Sequence, residues 1–298
     1  MPIIPIQKTI DKIIQEKPEM GLSTGILGLD AAILGLRPAH LITIAACSGM
    51  GKSAIMTDIT LAAAREVPVA MFSLEMGVHL TTERMIYNLA DLNYHRGISS
   101  EHNPKDKQSL DEAVETIKNL KDVYIDEEHD CLYPSWLLEK TKPENSIELA
   151  IEQYHEAGVR LFLIDYLQIV GFGFKVESET LRIKKLTGKL HKLAVKHKVP
   201  IVILSQLKKD AADKKAKGKD TAPVIADIRD SGYIINDSDV VLLLHRPDYF
   251  DDVEDIDLFS NNTEAAQIIV GKQRSGPLGP VKVEFHSYSM SYKDTGGF

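Results

Sequence analysis

Two cysteines, Cys47 and Cys131, are all that the 298 residues carry. They lie far apart and form no zinc-type spacing, which argues against a structural metal and suits a reducing compartment. Long apolar runs are also missing. No stretch approaches the ~18 apolar residues of a membrane span, and Met1-Pro2-Ile3-Ile4-Pro5 lacks the basic start and apolar core of a signal peptide. The expectation is a cytoplasmic protein without membrane contact. Positive charge is in deficit: 35 Lys and Arg stand against 43 Asp and Glu, a net charge of -8. That excludes a surface that is basic overall, but not a protein that grips a nucleic-acid strand with a few loops, because affinity then follows local charge. No internal repeat is visible. What remains is ordinary for a globular chain, with 44% hydrophobic and 26% charged residues. The length suits one large α/β domain with a substantial core.

The stretch Ala46-Cys47-Ser48-Gly49-Met50-Gly51-Lys52-Ser53 follows the apolar run Leu41-Ile42-Thr43-Ile44-Ala45 and precedes a helical pattern. Strand, glycine-containing loop and helix in that order make a phosphate-binding P-loop, with Ala in place of its first Gly. Gly49 and Gly51 let backbone N–H groups turn inward toward phosphate oxygens, and the helix adds its positive N-terminal end. Lys52 would neutralise the β and γ phosphates, and Ser53 would place a hydroxyl on Mg²⁺.

From Leu41 onward, strand-like and helix-like segments alternate, the pattern of a mostly parallel sheet flanked by helices. Strands are expected at 41–46, 68–75, 122–126, 160–169, 199–206, 239–246, 266–274 and 281–288. Helices are expected near 52–66, 79–92, 106–120, 145–157 and 178–197.

Three apolar runs end on polar residues. Val69 to Leu74 ends on Glu75, either a general base or orienter of the attacking water, or a carboxylate paired with a helix N-terminus. Leu161-Phe162-Leu163-Ile164 ends on Asp165, the Walker B arrangement, which would face Mg²⁺ beside Ser53. Ile201 to Ser205 ends on Gln206, which either reports the γ-phosphate or merely closes the strand. Further on, Lys272 and Arg274 lie two apart, so on a strand they face one side. Either they are surface cations or they share an anion, and a γ-phosphate on an adjacent subunit, met by an arginine finger, fits that role. Arg229, Asp230 and Gly232 form a tight turn suited to phosphates and not to bases, or one stabilised by its own Arg–Asp contact.

Two further stretches break the pattern. Lys208 to Asp220 is lysine-rich and reads as a long loop, either solvated or facing DNA or an interface. The acidic residues from Asp248 to Asp257 read as a solvated connection. Ahead of everything, Ile6, Ile10, Ile13 and Ile14 share one face of a short helix over 5–17, which covers its own domain or docks on a neighbour.

From about Gly21 to Phe285 the chain resembles the motor domain of the DnaB-type replicative DNA helicases, within the RecA-like ATPases. The resemblance is carried by Ser73-Leu74-Glu75-Met76, Ile164-Asp165-Tyr166-Leu167-Gln168, Leu204-Ser205-Gln206-Leu207, Asp227 to Gly232, and Lys272-Gln273-Arg274-Ser275-Gly276-Pro277. It implies an α/β RecA-like P-loop ATPase over 21–298, with residues 1–20 as a linker arm. It also implies a hexameric ring that unwinds duplex DNA by moving along a single strand, using ATP and Mg²⁺, with a primase or helicase loader as partner. Position by position, it implies a nucleotide site at Ala46 through Ser53 and a catalytic set of Glu75, Lys52, Gln206, Lys272 and Arg274. Ser53 and Asp165 would lie on the metal side, and Arg229, Asp230 and Gly232 on DNA.

There are departures. Cys47-Ser48-Gly49 stands where the family usually has Arg-Pro-Ser, Asp230 where it has Glu, and Gly188 where it has Arg; the family's N-terminal collar has no counterpart in these residues. Two rival functions predict different behaviour. A recombinase-like or loader ATPase would coat DNA cooperatively, and a non-motor scaffold would form rings whose hydrolysis ignores DNA.

Overall fold

The computed structural model describes residues 6, 10, 20–73, 75–99, 103–126, 147–165, 167, 179–208, 222–229, 231–249 and 261–295. Most of the helix expected over 5–17, the lysine-rich stretch beyond Lys208, the acidic residues from 251 and Asp230 lie outside them.

Among the described residues, nine strands form one sheet. They are β1 (Leu41–Ala46), β2 (Val69–Ser73), β3 (Val123–Asp126), β4 (Leu161–Asp165), β5 (Ile201–Gln206), β6 (Val240–His245), β7 (Thr263–Gln273), β8 (Gly279–His286) and β9 (Ser291–Asp294). Their order is β3-β2-β4-β5-β1-β6-β7-β8-β9. The first six in that order run parallel, and β7, β8 and β9 join antiparallel. The parallel strands read as unbroken apolar runs because both faces are covered. In β1, Ile42, Ile44 and Ala46 enter one core while Leu41 and Ala45 enter the other; Leu161 and Leu163 of β4 separate likewise from Phe162 and Ile164.

The helices are α1 (Leu27–Ile33), α2 (Lys52–Ala63), α3 (Val78–Ala90), α4 (Tyr94–Ser99), α5 (Pro104–Lys118), α6 (Ile147–Glu156), α7 (Glu179–His197) and α8 (Ser231–Asp237). Ile55, Met56 and Ile59 of α2 pack in the first core with Leu29 and Ile33 of α1. Ile151 of α6, Ile183, Leu186 and Leu190 of α7 and Ile234 of α8 fill the second. None of the described helices is long and apolar enough to cross a membrane.

The eight expected strands and five expected helices are all present, β1 with the expected bounds and the others with shifted ends. β4 stops at Asp165, and Leu167 then donates its N–H to the carbonyl of Leu204 (2.9 Å), carrying the chain over the tip of β5. α3 stops at Ala90 because Asp91 adopts a left-handed φ of 53°. Three short helices, α1, α4 and α8, and the last strand, β9, go beyond the expected set. β9 matters for the site: the N–H of Tyr292 donates to Asp58 on α2 (2.8 Å), fixing the helix that begins at the P-loop.

Candidate nucleotide-binding site

The P-loop leaves the C-terminal end of β1 and enters α2 at Lys52. Gly49 and Gly51 have φ of 80° and 91°, a region closed to most side chains. At Gly51 the surroundings add a steric demand, since a Cβ there would fall 2.9 Å from Phe285 and 3.1 Å from Tyr292. The Lys52 ammonium donates to the carbonyls of Cys47 (2.9 Å) and Ala46 (3.2 Å), folding back over its own loop. Burial lowers its pKa, and the nearby Asp165 and Glu75 carboxylates oppose that.

Sheet register brings the strand tips together. Ser73 pairs with Asp165 across β2 and β4, and Ala46 with Gln206 across β1 and β5. Ser53 Oγ donates to Asp165 Oδ2 at 3.0 Å, while Asp165 Oδ1 is buried without a hydrogen-bond partner. Burial, reinforced by Glu75, pushes the Asp165 pKa up to about 6, against the Ser53 hydrogen bond and Lys52. A buried carboxylate with one unpartnered oxygen, next to a hydroxyl, is the donor set that a hard divalent cation requires. Residues Asp165 and Ser53 therefore fit Mg²⁺.

A cavity of about 400 Å³ opens over the loop, lined by Ser48, Gly49, Gly51, Lys52, Ser53, Glu75 and Gln206 of the expected set. Ala46 and Met50 are buried beneath it. Among the further lining residues, unexpected from the sequence, are Arg84, Arg246 and Phe285. The Arg84 Nε is buried without a hydrogen-bond partner, and its Nη1 lies 2.9 Å from the Met76 sulfur, a weak acceptor. Arg246 is almost fully buried; it pairs with Glu264 (2.6 Å) and donates to the Gly49 carbonyl (3.0 Å). Its guanidinium lies 4.1 Å from the Phe285 ring centre and 4.4 Å from that of Tyr249. A sequence signal for Arg246 exists: like Asp165 and Gln206, it closes an apolar strand run. Phe285 has no such signal.

The remaining expected residues lie elsewhere. The Arg229 N–H donates to the carbonyl of Gln206 (3.3 Å), and a bridge between Leu207 and Ile228 holds the two segments together. Gly232 sits exposed in the first turn of α8. Lys272 and Arg274 are at the opposite end of the sheet, where Val241 at the start of β6 pairs with Lys272. Asp239 pairs with Arg274 and its charge also acts on Lys272. Lys272 Nζ donates to the carbonyls of Ile235, Ser238 (2.6 Å) and Asn236 (3.4 Å), whereas Arg274 pairs with Asp239 at 2.8 Å. Burial, with the adjacent Arg274, lowers the Lys272 pKa.

Residues 21–294 match the family model described as DnaB-like helicase C terminal domain. The replicative DNA helicase DnaB of Buchnera aphidicola subsp. Baizongia pistaciae is 30% identical, with the match covering 90% of this chain and 54% of that protein. The chain thus spans about half the length of such curated relatives. A solved DnaB-like replicative helicase, described with its interactions with primase, superimposes with a TM-score of 0.80 at 25% identity, covering 97% of this chain and 65% of that one. A solved ATPase domain of comparable length gives the same score and identity and covers 97% of both chains.

Proposed function

The chain belongs to the family of DnaB-like helicase C-terminal domains, and from that membership we propose that residues 21–298 are an ATP-hydrolysing motor that moves along single-stranded DNA and unwinds duplex, with residues 1–20 as a linker arm. The observation that carries this reading is the Ser53–Asp165 pair, with its unpartnered Oδ1, at the edge of a cavity that also holds Lys52, Glu75 and Gln206.

In that cavity the loop N–H groups and Lys52 bind the phosphates, for which Lys52 exchanges its two loop carbonyls. Asp165 and Ser53 would hold Mg²⁺, which would neutralise charge developing on the phosphates during transfer. Glu75 accepts a proton from the attacking water, and Gln206 contacts the γ-phosphate. Arg84 adds a second cation from α3. Arg246 and Phe285 line the same cavity beside the loop. Because the Gln206 carbonyl holds the Arg229 N–H, movement of Gln206 on hydrolysis reaches the segment of Arg229, Asp230 and Gly232 directly, and that segment grips DNA phosphates. Lys272 and Arg274, remote from their own P-loop, would serve a neighbour's in a head-to-tail assembly; a hexameric ring is the proposed state. A primase or loader is the proposed partner, and a cytoplasmic setting suits the reaction.

The test is steady-state ATP hydrolysis with and without single-stranded DNA across a salt series. DNA stimulation that fades with salt is expected, and Lys52→Ala should abolish turnover. Hydrolysis indifferent to DNA would favour the scaffold ATPase instead.

A further inference from the structure

Asp239 is a carboxylate almost wholly withdrawn from solvent at the end of the sheet opposite the P-loop, one residue before β6. Its place is fixed by the backbone. The Asp239 N–H donates to the carbonyl of Leu41 (2.8 Å), and the N–H of Leu41 donates back to Asp239 Oδ2 (2.9 Å), so the residue is clamped to the start of β1. Burying a carboxylate is costly unless it is both paired and hydrogen-bonded. Two side chains meet that need: Arg274 Nε lies 2.8 Å from Oδ1, and His191 Nε2, on α7, lies 3.3 Å from Oδ2.

The two members of the Asp239–Arg274 pair are unlike. The acid side chain is 4% exposed and the arginine 57%, so a fixed, buried group holds a half-free one. A guanidinium has five N–H donors, one on Nε and four on its terminal nitrogens. Because Asp239 makes its closest approach to Nε, the terminal nitrogens remain for a two-pronged contact with a phosphate. Positive charge is in excess around the pair. Burial lowers the pKa of His40, and Arg37, Arg274 and His191 lower it further, against Asp239 alone. A guanidinium in such surroundings retains affinity for an anion from outside.

We propose that Asp239 is a positioning residue for hydrolysis at the neighbouring subunit's site: held at Nε by Asp239, Arg274 presents its terminal nitrogens to the γ-phosphate across the interface. This rests on the reading of Arg274 as the cation that one subunit lends to the next. No contact has to be exchanged on engagement. Nε stays on Asp239 while the terminal nitrogens meet phosphate, so the side chain is oriented before ATP arrives and loses less freedom when it binds.

The experiment is steady-state ATP hydrolysis by the full chain, alone and in mixed assemblies, with oligomeric state and thermal melting measured on the same samples. Asp239→Asn keeps an acceptor for the Leu41 N–H but loses the charge that holds Nε. Its kcat should fall at least about tenfold with KM within about twofold, since a misplacement of about 1 Å can cost roughly a hundredfold. Mixing separates a fault in the lent side chain from damage to the subunit's own P-loop. With Glu75→Ala subunits, Asp239→Asn should recover part of the activity, because one kind of interface then joins an intact nucleotide site to a positioned Arg274. With Arg274→Ala subunits it should recover none, because no interface has one. Recovery with Arg274→Ala, or none with Glu75→Ala, would overturn the proposal, as would a loss explained by failed assembly. If Asp239→Asn does not fold, Arg274→Lys decides: one ammonium cannot hold Asp239 and reach a phosphate together, so its kcat should match that of Arg274→Ala, and a wild-type kcat would overturn the proposal. Wild-type hydrolysis by Arg274→Ala would end the lending role and the proposal with it, whereas a defective Arg274→Ala beside a fully active Asp239→Asn would end the positioning role alone.

Discussion

Replacing Asp165 with Asn should make the free protein more stable and blind to magnesium nucleotide. The carboxyl is raised from 3.8 to about 6, chiefly by burial. Below pH 3.8 it is protonated in folded and unfolded chains alike and costs nothing. As pH rises the unfolded chain ionises first, so the folded state loses relative stability until the penalty is complete above about pH 6. At 1.36 kcal/mol per pH unit that penalty is about 3 kcal/mol. Asn removes the charge and can still accept from Ser53, but its amide then occupies the place of the unpartnered Oδ1, which costs about 1 kcal/mol. The net gain of about 2 kcal/mol raises Tm by roughly 4 °C at pH 7.5, falls to zero at about pH 4.5 and reverses below that, where the variant is the less stable. Magnesium with a non-hydrolysable ATP analogue at 100 times Kd should stabilise the wild type by about 2.7 kcal/mol; the variant should show little of this. Thermal melts from pH 4 to 8, with and without magnesium nucleotide, read both effects. A free variant that melts no higher than wild type at pH 7.5, or one that keeps the nucleotide shift, would refute the assignment of Asp165 as a buried metal-side carboxylate.

Three other substitutions probe the same frame. Gly51→Ala sets a side chain at φ 91° against Phe285 and Tyr292; a loss of about 2–3 kcal/mol of stability and at least tenfold weaker nucleotide binding are expected in melts and titration calorimetry. Arg246→Ala strips Glu264 of its partner and the Gly49 carbonyl of a donor. Because Glu264 keeps some solvent contact, about 2 kcal/mol is expected from chemical denaturation. Arg274→Ala should cut hydrolysis while leaving nucleotide affinity within about twofold, since Arg274 lies at the far end of the sheet. Mixing it with Glu75→Ala subunits should recover part of the activity, and mixed rings without recovery would count against a shared site.

The sheet could be read from the sequence because buried parallel strands are continuous apolar runs, and their polar tips then identify themselves: Glu75, Asp165 and Gln206 each end such a run. Arg246 obeys the same rule and was missed only because its partners lie elsewhere in the chain, Glu264 on β7 and Phe285 on β8. The short helices gave little signal for a simpler reason. α1 and α8 span seven residues each, two turns, too few for a 3.6-residue period to stand out. At Lys272 the limit was different. A period of two places it on the same side of a strand as Arg274, but no local pattern reveals that the carbonyls of Ile235, Asn236 and Ser238 wait there.

The P-loop shows how a departure from the family pattern is absorbed. Gly49 stands where the family usually has Ser, at φ 80°, and any Cβ there would lie 1.9 Å from the Tyr249 hydroxyl. The Tyr249 hydroxyl thus occupies the space that a side chain at 49 would need. The ring in turn lies on Arg246, whose Nη1 holds the Gly49 carbonyl. The glycine gives up conformational restraint in the unfolded chain, which weakens the loop. The Tyr249–Arg246–Gly49 contacts restore restraint in the folded one. A phosphate loop with unusual residues at three positions can thus keep its shape, because what fixes it is supplied by β6 and the turn that follows.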